Sequence, residues 1–183
     1  MKLENKNVLV FAATGAIGSA AARQLSSAGA TVWLSARDQC RLNALAQAIH
    51  NDGGRAKVDV VDATDETEVA RYVDRIAEDG PIDAAFNAIG VHVSKGGWAR
   101  PSSTVTEDLF RPSFEVIVWS QFLTARTAAT HMSVTAGSAI LLSASVSAYP
   151  TPCMATIAAA SGAVEALTRN LAAEYRSSGI RVN

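Results

Sequence analysis

Two cysteines, three histidines and no block of like charge are what this chain of 183 residues offers to metal, disulfide or polyanion chemistry. Cys40 and Cys153 lie far apart, in no CxxC or Cys/His ligand spacing, which excludes a disulfide framework and a zinc module and reads as free thiols in a reducing compartment. His50, His92 and His131 are equally scattered, so no metal site is expected. A net charge of −1 leaves no electrostatic footprint for nucleic acid or an anionic membrane surface. No apolar run approaches the roughly 20 residues of a membrane helix, and the start, MKLENKNVLVF, lacks the apolar segment of a signal peptide. The expected location is the cytoplasm. Repeats, low-complexity tracts and linkers are also missing, so residues 1–183 are expected to form a single domain.

What is present is organised around Asn7 to Leu25, NVLVFAATGAIGSAAARQL. Val8 to Phe11 is a short apolar run suited to a strand buried on both faces, and from Ala16 small and apolar residues recur at helical spacing. The turn between them, Ala12 to Gly18, is built almost wholly of residues without bulk. A pyrophosphate can approach such a backbone while the helix N-terminus offers it unpaired N–H groups. The three-glycine dinucleotide fingerprint is degenerate here, because only Gly18 remains a glycine, with Ala12 and Ala16 at the other two places. The same turn would also serve to pack a helix on a strand with no ligand.

The rest of the chain alternates in the same way. Strands are expected at Thr31 to Ala36, Ala56 to Val61, Ile82 to Phe86, Gly137 to Ser143 and from Ile180. Helices are expected over Asp38 to Asn51, from a Thr64 cap through Ile76, over Glu107 to Met132 and over Met154 to Ser177. Val91 to Ser103 and Ala144 to Cys153 read as loops over a cleft. This βα alternation predicts an α/β fold, a doubly wound parallel sheet of Rossmann type in three αβα layers. The chain stops as the sixth strand begins, so that strand is expected to be incomplete.

Several motifs now agree in order and spacing. The turn Ala12 to Gly18, the pair Asp62-Ala63 after the third strand, Asn87-Ala88-Ile89-Gly90 after the fourth, and the tail Gly162 to Tyr175 followed by Gly179-Ile180-Arg181-Val182-Asn183 resemble the short-chain dehydrogenase/reductase family over nearly the whole chain. The resemblance implies a strand order of 3-2-1-4-5-6, a bound NAD(P)(H), and a C-terminal substrate-binding part that is absent here. It places Thr14, Gly15 and Ile17 along the pyrophosphate and nearby ribose, Asp62 and Ala63 at the adenine, and Asn87, Ala88 and Gly90 on the adenosine and ribose side. An asparagine at a strand end such as Asn87 serves equally well to tie neighbouring strands.

Arg37 directly follows the second strand, where a carboxylate would select the ribose 2′-OH of NAD and a guanidinium the 2′-phosphate of NADP. Ala36 removes the competing carboxylate, and Arg41 stands one helical turn on. NADP(H) is therefore expected over NAD(H), although both arginines also fit as solvated residues at a helix start.

Catalysis is where the chain departs from the resemblance. The family uses Ser, Tyr and Lys, the last two as YxxxK, with an Asn from the preceding helix. Anchoring on Gly162-Ala163-Val164 places Ile157 at the tyrosine and Ser161 at the lysine, and Ile117 falls near the asparagine. Isoleucine has no proton to give, and serine has no charge to lower a phenol's pKa. Ser143 or Ser145 retains the serine position. Tyr149 and His92, on the two loops, are the candidate substitutes as proton donors. The expected function is an atypical NADP-dependent oxidoreductase acting by hydride transfer on a carbonyl or alcohol; the alternative is a catalytically silent NADP(H)-binding or scaffold subunit. The resemblance implies a homodimer or homotetramer through the two long helices, with Ala155, Ala159, Gly162, Ala163 and Ala166 on one and Val116, Phe122, Leu123 and Ala129 on the other.

Overall fold

Side chains of a strand alternate between its two faces, so the unbroken apolar run Val8-Leu9-Val10-Phe11 can only be buried by helices on both sides. The computed structural model, which describes residues 2–92, 94–132, 137–145 and 149–183, has that arrangement. Val8 and Val10 pack with Ala22, Leu42, Leu45 and Ile49, while Leu9 and Phe11 join Val69, Tyr72, Ile76, Leu123 and Ile140 on the opposite face.

Six strands are found among the described residues: β1 (Asn7–Phe11), β2 (Thr31–Ala36), β3 (Arg55–Val60), β4 (Ala84–Asn87), β5 (Ala139–Leu142) and β6 (Arg181–Val182). They form one sheet in the order β3-β2-β1-β4-β5-β6, with every pairing parallel, as the sequence leads one to expect. The helices are α1 (Ala16–Ser27), α2 (Gln39–Asn51), α3 (Glu66–Asp79), α4 (Glu107–Pro112), α5 (Ser120–His131) and α6 (Ala155–Glu174). The chain leaves β3 and re-enters the sheet beyond β1, so the strand order reverses between β1 and β4. A crevice at the carboxyl ends of strands opens at such a reversal.

Three local expectations are corrected. The cap of α3 is Asp65, whose carboxylate accepts the Glu68 N–H at 2.9 Å; Thr64 instead donates its hydroxyl to Asp62. The long helix expected over Glu107 to Met132 is interrupted by a π-helical stretch, Ser113–Trp119, directly after Pro112, whose ring lacks an N–H for the α-helical ladder. Val91 to Ser103 does not simply stand over the cleft: Gly96 and Gly97 are buried, and both Ser113 and Thr156 donate hydroxyls to the Gly96 carbonyl. Within the two cleft loops, residues 93 and 146–148 lie outside the described residues. No helix among those described is long and apolar enough to cross a membrane.

Candidate functional site

The turn after β1 shows why it tolerates almost no bulk. Ala12 adopts φ 54°, a left-handed conformation that favours glycine, and its carbonyl accepts the Gly15 N–H at 3.0 Å. A Cβ on Gly18 would lie 2.3 Å from that same carbonyl oxygen, so only glycine allows α1 to sit this close to β1. Gly15 caps α1 with no side chain bonded to the first-turn N–H groups, which leaves them available to an anion. Ile17 projects from that turn, 65% exposed.

Beside the turn lies a cavity of about 250 Å³, with Ala12, Thr14, Arg37, Arg41, Asp62 and Gly90 among its walls. Ala63 also contributes, and so does Val116 from the π-helical stretch, which is tied to this wall by the Trp119 Nε1–H donating to the Thr64 carbonyl at 2.9 Å. Arg37 is exposed at the end of β2. The Arg41 guanidinium reaches across to donate to the Thr14 carbonyl at 2.7 Å. Asp38, the nearest acid in sequence, is engaged at the start of α2, where its carboxylate accepts the Arg41 N–H at 3.0 Å.

Asp62 is held by Thr64, whose hydroxyl and backbone N–H donate to one carboxylate oxygen at 2.7 and 3.0 Å. Burial pushes this carboxyl's pKa up, but the two Thr64 hydrogen bonds and the Arg37 charge outweigh it and hold Asp62 below its ordinary value. The group is therefore a stable anion on the cavity wall.

Asn87 is placed as a tie. Its amide nitrogen donates to the Ser120 carbonyl at 3.1 Å and the Thr124 hydroxyl at 2.8 Å, and its oxygen accepts the Ile89 N–H at 2.9 Å. Only 2% exposed, it holds the backbone that follows β4 through the Ile89 N–H.

The far end of the crevice is different. Ile157 and Ser161 are 0% and 1% exposed, and Ile157 packs with Val91, Ile117, Ala160, Val164 and Trp98 in an apolar cluster. The Ser161 hydroxyl accepts the Ser145 N–H at 3.3 Å. Gln121, which sequence reasoning passed over, is fully buried; its amide nitrogen donates to the Ser143 hydroxyl at 3.0 Å and carbonyl at 3.1 Å. The only signal for it was a large polar residue one position before the apolar pair Phe122-Leu123. Tyr149 is 82% exposed, and the exposed His92 ring pairs its Nδ1 with the Ser94 hydroxyl at 2.8 Å. Ala12, Thr14, Arg37, Asp62, Ala63 and Gly90 thus come together around one cavity, which Gly15, Ile17, Gly18, Asn87 and Ala88 do not line; of the four candidate catalytic side chains, Ser143 is half-buried against Gln121, and Ser145, Tyr149 and His92 are exposed. Among the described residues no cluster of His, Cys, Asp or Glu is placed to hold a metal ion.

Residues 11–183 match the family model described as enoyl-(acyl carrier protein) reductase. The chain is 32% identical to the 7alpha-hydroxysteroid dehydrogenase of Clostridium sardiniense, over all of its own length and 70% of that protein. It is 33% identical to the cis-4-hydroxycyclohexanecarboxylate dehydrogenase of Sinomonas cyclohexanicum, over 98% of its own length and 71% of that protein. A short chain dehydrogenase from Mycobacterium smegmatis superimposes with a TM-score of 0.89 at 30% identity, covering 100% of this chain and 75% of that one. Of another relative, from Pseudocercospora fijiensis, the chain spans 58% of the length.

Proposed function

The chain belongs to the short-chain dehydrogenase/reductase family, and on that premise we propose that it is an atypical NADP-dependent oxidoreductase. The observation that carries the cofactor is the cavity between β1, β2 and β4, which Arg37 and Arg41 line together with two acids that are each engaged, Asp38 in capping α2 and Asp62 on Thr64. The residues fit the group: the Gly18 approach leaves the turn open to a phosphate, and the guanidinium groups suit a 2′-phosphate. Arg37 would hold that phosphate, the uncapped first turn of α1 with Thr14 and Gly15 the pyrophosphate, and Asp62 and Ala63 the adenine. When bound, the cofactor supplies hydride exchange at C4 of the nicotinamide, with a carbonyl or alcohol carbon as the partner. Exposed thiols at Cys40 and Cys153 suit a reducing cytoplasm.

NADPH is expected to bind about ten- to a hundredfold more tightly than NADH, the worth of one charge-assisted pair. Fluorescence titration of the native chain and of Arg37→Ala checks this, the ratio collapsing toward one in the variant. Equal affinities in the native chain would remove the NADP assignment.

A second reading, a cofactor-binding subunit without turnover, is favoured by the burial of Ile157 and Ser161, the residues that anchoring on Gly162-Ala163-Val164 sets at the family's tyrosine and lysine positions.

We also propose a homodimer through α5 and α6, on a reduced surface. Leu123 is fully buried in the core and Val116 lines the cavity, which leaves Phe122 and Ala129 on the first helix and Ala155, Ala159, Gly162, Ala163 and Ala166 on the second. Sedimentation at micromolar concentration should show a dimer; a monomer alone would exclude it for this chain.

A further inference from the structure

We infer, resting on the oxidoreductase reading, that Gln121 is a positioning residue: its buried side-chain amide holds the Ser143 hydroxyl as an acceptor and so turns the hydroxyl proton toward the crevice, where a substrate carbonyl oxygen can take it as a hydrogen bond. The first turn of α5 brings three buried polar residues, Ser120, Gln121 and Thr124, to the carboxyl ends of β4 and β5. The Ser120 carbonyl and the Thr124 hydroxyl both accept from the Asn87 amide. Gln121 serves the next strand. Asn87 pairs with Leu142 in the register of β4 and β5, and Ser143 is the first residue beyond that pairing. Where the ladder stops, Gln121 Oε1 accepts the Ser143 N–H at 3.4 Å, while Nε2 donates to the Ser143 carbonyl at 3.1 Å and stands 3.5 Å from the Asn87 carbonyl.

These contacts decide which end of the amide is which. Turned over, it would set its oxygen against two carbonyl oxygens and its nitrogen against an N–H, and each contact would become repulsive. In the orientation found, Nε2 also donates to the Ser143 hydroxyl at 3.0 Å. An amide nitrogen accepts nothing, so the hydroxyl cannot spend its own proton on Gln121. Among the described residues that O–H has no other acceptor, and Ser143 is only half-buried, so the proton is left for a group entering from the crevice. Ser145 is not held in this way: it is exposed, and its bond to Ser161 is made by its backbone N–H. Gln121 therefore selects Ser143 of the two serines. In the reduction, hydride adds to the carbonyl carbon, the C=O π pair moves onto oxygen, and the alkoxide takes a proton from water, leaving hydroxide and an oxidised nicotinamide. A donor already aimed at that oxygen stabilises the charge as it develops, without reorganising. With Ile157 and Ser161 supplying neither acid nor cation, this is the aid that the Ser143 hydroxyl gives.

Turnover of cyclohexanone and benzaldehyde with NADPH tests this in the native chain, in Gln121→Met, which keeps the side chain's length without its hydrogen bonds, in Ser143→Ala and in the double variant, with thermal melting and NADPH titration alongside. Gln121→Met and Ser143→Ala are each expected to lower kcat about tenfold or more, the order of a misplaced or missing donor. KM for the carbonyl and the NADPH affinity should stay within about threefold, because the bond matters most in the transition state. The double variant should be within about twofold of Ser143→Ala, since Gln121 acts only through the hydroxyl. Additive losses, an unchanged kcat in either single variant, or a Gln121→Met chain that no longer melts cooperatively would make Gln121 a structural tie and overturn the inference, while leaving the oxidoreductase reading in place. A native chain that binds NADPH and reduces neither carbonyl would instead remove that reading, and the inference with it.

Discussion

Reduction of simple ketones and aldehydes by this chain is expected to run about 10² to 10⁴-fold below that of a family member that carries both the tyrosine and the lysine, the usual contribution of a positioned general acid. Ile157 offers no proton, and its burial in an apolar cluster keeps water from that position too. Ser161, buried with its hydroxyl against the Ser145 N–H, brings no positive charge. Ser143 is paired with Gln121 and is flanked by neither partner that would activate it. Following NADPH absorbance with a carbonyl panel checks the rate, and a rate within tenfold of such a relative would sink the reading. Tyr149→Phe and His92→Ala are expected to leave the residual rate unchanged, since one side chain stands out in solvent and the other is turned to Ser94. A large loss on either would identify a replacement donor. Ile157→Tyr with Ser161→Lys is not expected to restore the rate, because a buried lysine in this cluster would be pushed toward its neutral form.

Gly18→Ala should have the largest effect on the fold and on nucleotide binding together. The new Cβ would stand 2.3 Å from the Ala12 carbonyl oxygen and 3.0 Å from Ala13 Cα, all backbone atoms with no rotamer to change. Ala12 already occupies the left-handed region, so the turn has little freedom to give way. Helix α1 must then move off β1, which separates its first-turn N–H groups from the turn. A loss of about 1 to 3 kcal/mol is expected, as for other overpacked sites. At this chain length that lowers Tm by roughly 2 to 4 °C for each kcal/mol. NADPH affinity should fall more than about tenfold, beyond one geometric contact's worth. Gly15→Ala is the milder comparison: its Cβ would be 3.3 Å from the same oxygen in an ordinary extended conformation, a tight contact that a small shift relieves, and thermal melting should fall by less than for Gly18→Ala. A Gly18→Ala protein that melts and binds like the native chain would refute the close-approach argument.

Local pattern carried a large part of this protein. The unbroken apolar run of Val8 to Phe11 and the helical spacing of Leu42, Leu45, Ala46 and Ile49 are properties of the chain within one element, and the core follows them. The alternation of strand and helix likewise gave the parallel sheet covered on both faces, while its strand order came from the family resemblance. The reading of Ile157 and Ser161 at the family's tyrosine and lysine positions came from the resemblance, anchored at Gly162-Ala163-Val164 on the same helix.

Tertiary structure decided whatever depends on two distant segments meeting. No local pattern places the Arg41 guanidinium on the Thr14 carbonyl, or gives Asn87 its partners on α5. Gln121 looked like any polar helical residue until β5 brought Ser143 against it. Leu123 belonged to an apparent interface until the sheet covered it, and Asp65 took the cap expected of Thr64 because Thr64 was already bound to Asp62. Periodicity fixes which way a side chain points along its own element. The partner it meets depends on how the elements are set against one another, and that is determined by the packing of the whole sheet and its helices.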